Sequence, residues 1–293
     1  MAIDKGNLIL ITGATGQQGG AVARELLAKG AKIRAMTRHP ESPKALELKN
    51  LGAEVVQGDL DDAASVERAL KGAWGAFAVQ NTWEAGVEGE ERQGKRFAEL
   101  AKKAGVQHFV YASVQAADQK TGIPHFDNKA RVEETVRSLH FPSYVIVRPV
   151  FFMENFSSPW FLPGIQEGTL AIGLPEHTKL QMIAVQDIGK YGAQAFLRHS
   201  QLNGRHLDIA GDEMTMPEVA RILSQATGRE VRFLQLPIEE VRKFSDDFAT
   251  MLEWFVRVGY GADIAARSAE SGIRPTKFTD WASSVTWPAP AAR

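Results

Sequence analysis

Residues Gly13-Ala14-Thr15-Gly16-Gln17-Gln18-Gly19 constrain this chain more than any other stretch, because of what lies on either side of them. Leu8-Ile9-Leu10-Ile11-Thr12 is a short apolar run of strand character, and Ala21-Val22-Ala23-Arg24-Glu25-Leu26-Leu27-Ala28 is a good helix former with apolar spacing. Three glycines at G-x-x-G-x-x-G spacing between a strand and a helix let the backbone turn tightly and come close to a pyrophosphate. The helix that follows points its unpaired N–H groups at that negative charge. A glycine triplet alone is weak evidence, but strand, turn and helix agree here. The segment predicts a dinucleotide-binding unit in which Gly13, Thr15, Gly16, Gln17, Gln18 and Gly19 approach the ligand.

Further strand-like segments follow at 32–37, 53–57, 76–80, 108–113 and 144–148, with helical stretches at 21–29, 43–51, 63–70, 89–104 and 128–139 between them. Strict alternation predicts an α/β fold, a doubly wound parallel sheet covered by helices on both faces. Ligands of such sheets sit at the carboxyl ends of the strands, so the residues just past each strand are the ones to read. Beyond residue 150 the pattern loosens, with a helix at 217–227, a strand at 231–236, a helical region at 238–258 and a short helix at 278–284. This divides the chain into a nucleotide-binding domain over 1–150, with returns to the sheet near 181–188 and 205–209, and a smaller, mainly helical C-terminal lobe from 151–180 and 210–293.

Composition narrows the function. The chain has 293 residues, 44% of them apolar, enough for a sizeable core. Absence of cysteine excludes disulfides and thiolate nucleophiles. A net charge of -1 with no basic stripe offers no footprint for nucleic acid. His39, His108, His125, His140, His177, His199 and His206 are scattered without metal-ligand spacing. No apolar run approaches the ~20 residues that cross a bilayer, and no charged-then-apolar leader precedes the first strand. The expectation is a cytoplasmic protein with no metal site.

Dinucleotide folds commonly place an Asp or Glu about 20 residues past the glycine turn, on the ribose of NAD. Met36-Thr37-Arg38-His39 carries no carboxylate. Arg38 instead offers a planar fork of donors suited to a 2′-phosphate, which favours NADP(H); the alternative is a solvated surface arginine. Gly58-Asp59-Leu60 is placed for the adenine edge, although Asp59 serves equally as the N-cap of the next helix.

Taken together, residues 13–19, Thr37-Arg38, Gly58-Asp59, Asn81-Thr82-Trp83-Glu84, His125-Phe126-Asp127-Asn128-Lys129, and Arg148-Pro149 with Glu154-Asn155-Phe156 resemble the atypical NmrA-like branch of the short-chain dehydrogenase/reductase superfamily, close to its NADPH-sensing members. The resemblance implies a Rossmann core, NADP(H) as ligand, and a small helical lobe forming a cleft. It extends the coenzyme set to Asn81, Trp83, Lys129 and Asn155. Active members of the superfamily use a Ser and a Tyr-x-x-x-Lys pair, the lysine lowering the tyrosine pKa so that it passes a proton to the carbonyl oxygen. Ser113 and Lys129 fit two of these positions, but His125 stands four residues before Lys129, where the tyrosine belongs.

Three readings of that departure stand. His125 or Lys129 supplies the proton, as imidazole can near neutral pH. Alternatively, Lys129 only clamps the nicotinamide ribose, His125 is structural, and the protein binds NADP(H) without turnover. In the third reading His125 merely packs near the helix start. Phe151, Phe152, Met153, Phe156, Trp160 and Phe161 either line an apolar substrate pocket or fill a core between lobes. Trp83 either flanks the nicotinamide or packs as a lid. The function classes are thus an NADPH-dependent reductase of a small apolar acceptor, a quinone or conjugated carbonyl, and a regulator acting through protein partners. For the latter, the acidic segment 84–91 reads as a loop that orders on binding. Epimerase chemistry is disfavoured because it relies on the missing tyrosine.

Overall fold

The computed structural model describes residues 6–288. The first half runs β1 (Leu8–Ile11), α1 (Gln17–Ala28), β2 (Lys32–Thr37), α2 (Pro43–Asn50), β3 (Glu54–Gln57), α3 (Ala63–Leu70), β4 (Gly75–Ala78), α4 (Thr82–Lys103), β5 (His108–Ala112), α5 (Pro124–Ser138) and β6 (Ser143–Pro149). The second half runs β7 (Phe151–Phe152), α6 (Leu162–Gln166), β8 (Thr169–Ile172), β9 (Lys179–Ile183), α7 (Val185–Leu197), α8 (His199–Leu202), β10 (Arg205–Ile209) and β11 (Asp212–Thr215). It ends with α9 (Met216–Thr227), β12 (Arg232–Gln235), α10 (Ile238–Phe244), α11 (Asp246–Arg257), α12 (Ile264–Ser271) and α13 (Phe278–Ser284). Contacts group these elements into two compact units. One holds the chain up to Asp118 with His125–Arg148 and Ile188–Leu207; the other holds Gln119–Pro124, Pro149–Asp187 and the chain from Asp208 on.

The first unit is built on a seven-stranded sheet of order β10-β6-β5-β4-β1-β2-β3. β1 pairs in parallel with β2 on one side and β4 on the other. The order reverses at that point, which is where a doubly wound sheet opens its ligand crevice. Ile9, Leu10 and Ile11 are fully buried, as a strand covered on both faces requires. One face carries α3, α4 and α5 over a core of Leu10, Met36, Leu70, Phe97, Phe109, Val132 and Ile146. On the other face α7 meets α1 through glycines: a Cβ at Gly192 would stand 2.4 Å from Val22.

Helix starts follow local chemistry. Ser42, Asp62 and Asn81 each accept a backbone N–H as N-caps of α2, α3 and α4. Segment 84–91, read from sequence as a loop, lies inside α4, because Asn81 caps a turn beginning at Thr82. Gly86 breaks that helix with φ 72° and ψ 168°, a region essentially reserved for glycine.

The second unit contains two small sheets, β11-β9-β7 and β12-β8. The expected return of 181–188 to the main sheet is corrected here. Lys179–Ile183 pairs antiparallel with β11 and in parallel with β7, and the sheet position beside β6 is taken by β10. α9 starts with a reciprocal capping box between Thr215 and Glu218 and stops at Gly228 in the left-handed region.

A buried ionic network ties the ends of β5 and β6 to α5. Arg148, 1% exposed, donates to both carboxylate oxygens of Glu133 at 2.8 and 2.6 Å and to Asp118 at 2.9 Å. Arg137 and the Ser113 hydroxyl also donate to Glu133. Removing one partner of such a pair strands the other charge in the interior. Arg148→Met is therefore expected to destabilise the protein by about 3–5 kcal/mol, read as a lower urea midpoint with an unchanged denaturant slope.

Candidate functional site

The glycine turn leaves the carboxyl end of β1. Thr12, fully buried, accepts from the Val79 N–H at 2.9 Å and donates to its carbonyl at 3.0 Å, so the ends of β1 and β4 are pinned together. Gly13 has φ +56°, and a Cβ there would lie 2.8 Å from Val79. The Gly16 N–H donates to the Gly13 carbonyl at 2.9 Å and closes the turn. A Cβ on Gly19 would stand 2.4 Å from that same carbonyl. Gly16 is the N-cap of α1, with no side-chain cap and no acidic residue in the first turn. The first-turn amides thus lack intrahelical partners and sit at the positive end of the helix dipole. Gln18 Oε1 is buried without a partner. Gln17 lies exposed on the same turn, and the Thr15 hydroxyl is 3.5 Å from that of Thr37 at the end of β2.

Arg38 follows β2 and donates to Glu84 at 2.5 Å. Asp59 does not cap α3; Asp62 does, and Asp59 Oδ1 accepts from the Asp61 N–H at 2.9 Å. The Leu60 carbonyl accepts from Arg96, and its side chain packs on the core. Asn81 accepts from the Trp83 N–H and donates to Glu84 at 3.1 Å. Trp83 is 60% exposed, its ring 5.8 Å from that of His125. His125 stands on the first turn of α5 and also meets Phe126 edge-on at 4.8 Å.

Lys129 donates to Glu90 at 2.6 Å, and Glu90 is 1% exposed. Glu90 also accepts from the Thr82 hydroxyl and from the Asn128 amide. Burial pushes the Glu90 carboxyl up, but the Lys129 ammonium with the Thr82 and Asn128 bonds outweighs it and holds the group below its ordinary value. Ser113 lies past β5 with its hydroxyl donated to Glu133 at 2.5 Å. Tyr111, on β5, is wholly buried in the core beneath α4 and α5, and burial raises its hydroxyl well above the ordinary value.

Asn155 belongs to the second unit, in a 3₁₀ turn, where its carbonyl accepts from the Ser158 N–H and hydroxyl. In that unit Phe151, Met153 and Phe156 are buried and Trp160 is exposed. Phe156 lies 5.5 Å from Phe161 and 5.4 Å from Phe278, so much of this aromatic stretch is core. Among the described residues no group of His, Asp or Glu is placed to hold a metal ion, and no helix is long and apolar enough to cross a membrane.

Sequence reasoning missed Glu90 and Glu133, the carboxylates that hold Lys129 and Ser113, and gave Glu84 no role toward Arg38. Only the acidic character of 84–91 signalled Glu90. Glu90→Gln removes the counter-charge of a lysine whose side chain is 12% exposed, and is expected to destabilise the protein by on the order of 3 kcal/mol at neutral pH. Because the folded Glu90 carboxyl titrates below the unfolded one, its contribution is complete above ~4.3 and disappears as pH falls through the folded value. Urea midpoints for the two proteins should therefore converge on acidification from pH 7 to 3.

Several known proteins are similar to this chain in sequence or in fold. The chain is 31% identical over 288 residues to the (4-alkanoyl-5-oxo-2,5-dihydrofuran-3-yl)methyl phosphate reductase of Streptomyces griseus, covering 94% of this chain and 96% of the reductase. Its fold matches the NADPH-dependent quinone oxidoreductase of Escherichia coli solved with NADPH, with TM-score 0.79, 24% identity and coverage of 94% and 98%. It also matches NmrA, a negative transcriptional regulator solved with NADP, with TM-score 0.80, 20% identity and coverage of 96% of each chain. With the NmrA-like family profile matching residues 5–283, the chain belongs to the NmrA-like family.

Proposed function

We propose that this chain is an NADPH-dependent reductase of a small apolar acceptor, a quinone or conjugated carbonyl, working without the usual tyrosine. The observation that carries the coenzyme is the glycine turn, in which Gly13 and Gly19 leave no room for a Cβ beside an uncapped helix N-terminus. Such a cradle fits a pyrophosphate held by main-chain amides. Gly13, Thr15, Gly16, Gln17, Gln18 and Gly19 would hold that group. Arg38 would take the 2′-phosphate, while Asp59 and Leu60 border the adenine. Asn81, Trp83, Lys129 and Asn155 complete the set. Support also comes from the relatives: the Streptomyces protein is a reductase, and both structural neighbours were solved with a phosphorylated nicotinamide coenzyme.

When bound, the coenzyme supplies the hydride. The chain's own residues then orient the acceptor and deliver a proton. Lys129 is held by a buried carboxylate, so it acts as a fixed ammonium that clamps and polarises. His125, half-buried beside the exposed Trp83, carries the imidazole that would donate the proton. Ser113 is tied to Glu133 and orients rather than transfers. Quinones and enones suit a site of this kind, because their reduced anion is delocalised and needs no strong acid.

The same observations favour a second reading. With Ser113 and Lys129 both engaged by carboxylates and no tyrosine in place, the protein would bind NADP(H) as a redox sensor and act through protein partners; the structural neighbour NmrA is a negative transcriptional regulator solved with NADP.

Calorimetry should give tighter binding of NADPH than of NADH. Arg38→Ala should lose about 10-fold in NADPH affinity, the worth of one charge-assisted phosphate contact, with NADH unaffected. No heat with either coenzyme overturns the coenzyme assignment. For turnover, His125→Ala is expected to slow NADPH oxidation in a quinone and enone panel by about 100-fold, the lower end of what a positioned acid contributes, while largely keeping NADPH affinity. A wild-type protein that consumes no NADPH across that panel, yet changes its protease sensitivity with NADPH, establishes the sensor in place of the reductase.

A further inference from the structure

The loop after β2 and the helix after β4 are not neighbours in the sheet. β1 lies between them, paired to both. Arg38 and Glu84 nevertheless meet, Nη2 to Oε2, at 2.5 Å. Their ion pair therefore spans the carboxyl end of β1, over the place where the glycine turn departs and where the strand order reverses. Glu84 is held in that orientation by the Asn81 amide on its other oxygen.

The two carboxylates that α4 sends toward the candidate cations differ in kind. Glu90 is buried, and its bond to Lys129 is part of the interior. Arg38 and Glu84 have side chains 54% and 56% exposed, and a pair so hydrated contributes little and exchanges easily. Between them stands Gly86, whose backbone breaks the helix. A Cβ there would touch nothing within 4 Å. The Glu84 side chain can turn away from Arg38 without breaking the buried contacts that Glu90 makes with Thr82, Asn128 and Lys129.

We infer that Glu84 is a specificity-determining residue: an internal carboxylate that occupies the Arg38 guanidinium across the mouth of the crevice, and that only a 2′-phosphate displaces. This rests on the NADP(H) reading above. A phosphate brings more negative charge than one carboxylate and fits the guanidinium fork with two oxygens. A coenzyme without the 2′-phosphate leaves the Arg38–Glu84 strap in place. The carboxylate thus weakens NADPH binding and sets how far NADPH is preferred over NADH.

The test is a double-mutant cycle by calorimetry, with NADPH, NADH and 2′,5′-ADP as probes and wild type, E84Q, R38A and the double variant as proteins. Both side chains are exposed, so all four should fold, and melting temperatures check this. E84Q is expected to tighten NADPH and 2′,5′-ADP about three- to five-fold, the scale of an exposed pair, and NADH by less than two-fold. In the R38A background the same substitution should change nothing. If E84Q tightens NADPH and NADH equally, and does so again without Arg38, a general charge effect replaces the strap. If R38A erases the NADPH preference while E84Q leaves it unchanged, the coenzyme reading stands and the inference falls. If wild type binds no probe, both fall together.

Discussion

The first unit depends on a steric constraint at one carbonyl. The Gly13 oxygen accepts the bond that closes the turn and stands where any residue but glycine at 19 would place its Cβ. β1 and α1 can therefore meet only with bare backbone between them. Thr12 extends the constraint sideways, because its hydroxyl both accepts from and donates to Val79 and so fixes the mouth between β1 and β4. The shape of the crevice is thus set by main chain and one threonine, before any charged residue takes part.

α4 supplies two of the carboxylates. Its first turn, its glycine break and its buried stretch present Glu84 and Glu90 to different cations under different dielectric conditions. A carboxylate with 1% exposure cannot release its lysine without stranding a charge, so the Glu90–Lys129 pair behaves as structure. The Glu84–Arg38 pair, solvated on both sides, behaves as a removable contact. A single helix can therefore hold one site residue fixed and leave another available, the difference being burial alone.

Sequence carried much of the fold but little of this electrostatics. Strand β2 at 32–37 and helices α3 and α13 lie where the apolar periodicity put them, since local pattern and burial agree there. The start of α4 was missed because Gly86 and the run of glutamates read as a loop, whereas the Asn81 cap and the glycine's unusual backbone reconcile them with a helix. The segment near 181–188 reads as a return to the main sheet, yet Lys179–Ile183 pairs with β11 and β7, a choice that depends on which edge is already filled. The pairing of Glu90 with Lys129 and of Glu133 with Arg148 joins residues 39 and 15 positions apart on different elements. No spacing rule reaches such pairs.

Under the proposed function, the histidine at 125 bears on chemistry through what surrounds it. A tyrosine works as an acid only when a neighbouring cation lowers its pKa, and it depends on the lysine for that. Here the lysine's charge is already answered by Glu90, so a tyrosine at 125 would gain less from it than in the usual arrangement. A histidine does not depend on that lysine to act as a proton donor. The buried glutamate and the histidine are in this sense mutually consistent under the proposed function: the first makes the usual acid ineffective, and the second makes it unnecessary. The same logic limits the substrate. A simple ketone develops a localised alkoxide and needs strong acid assistance, whereas a quinone or enone spreads the charge over its own framework. An acceptor that stabilises its own anion is what a weaker proton donor can serve.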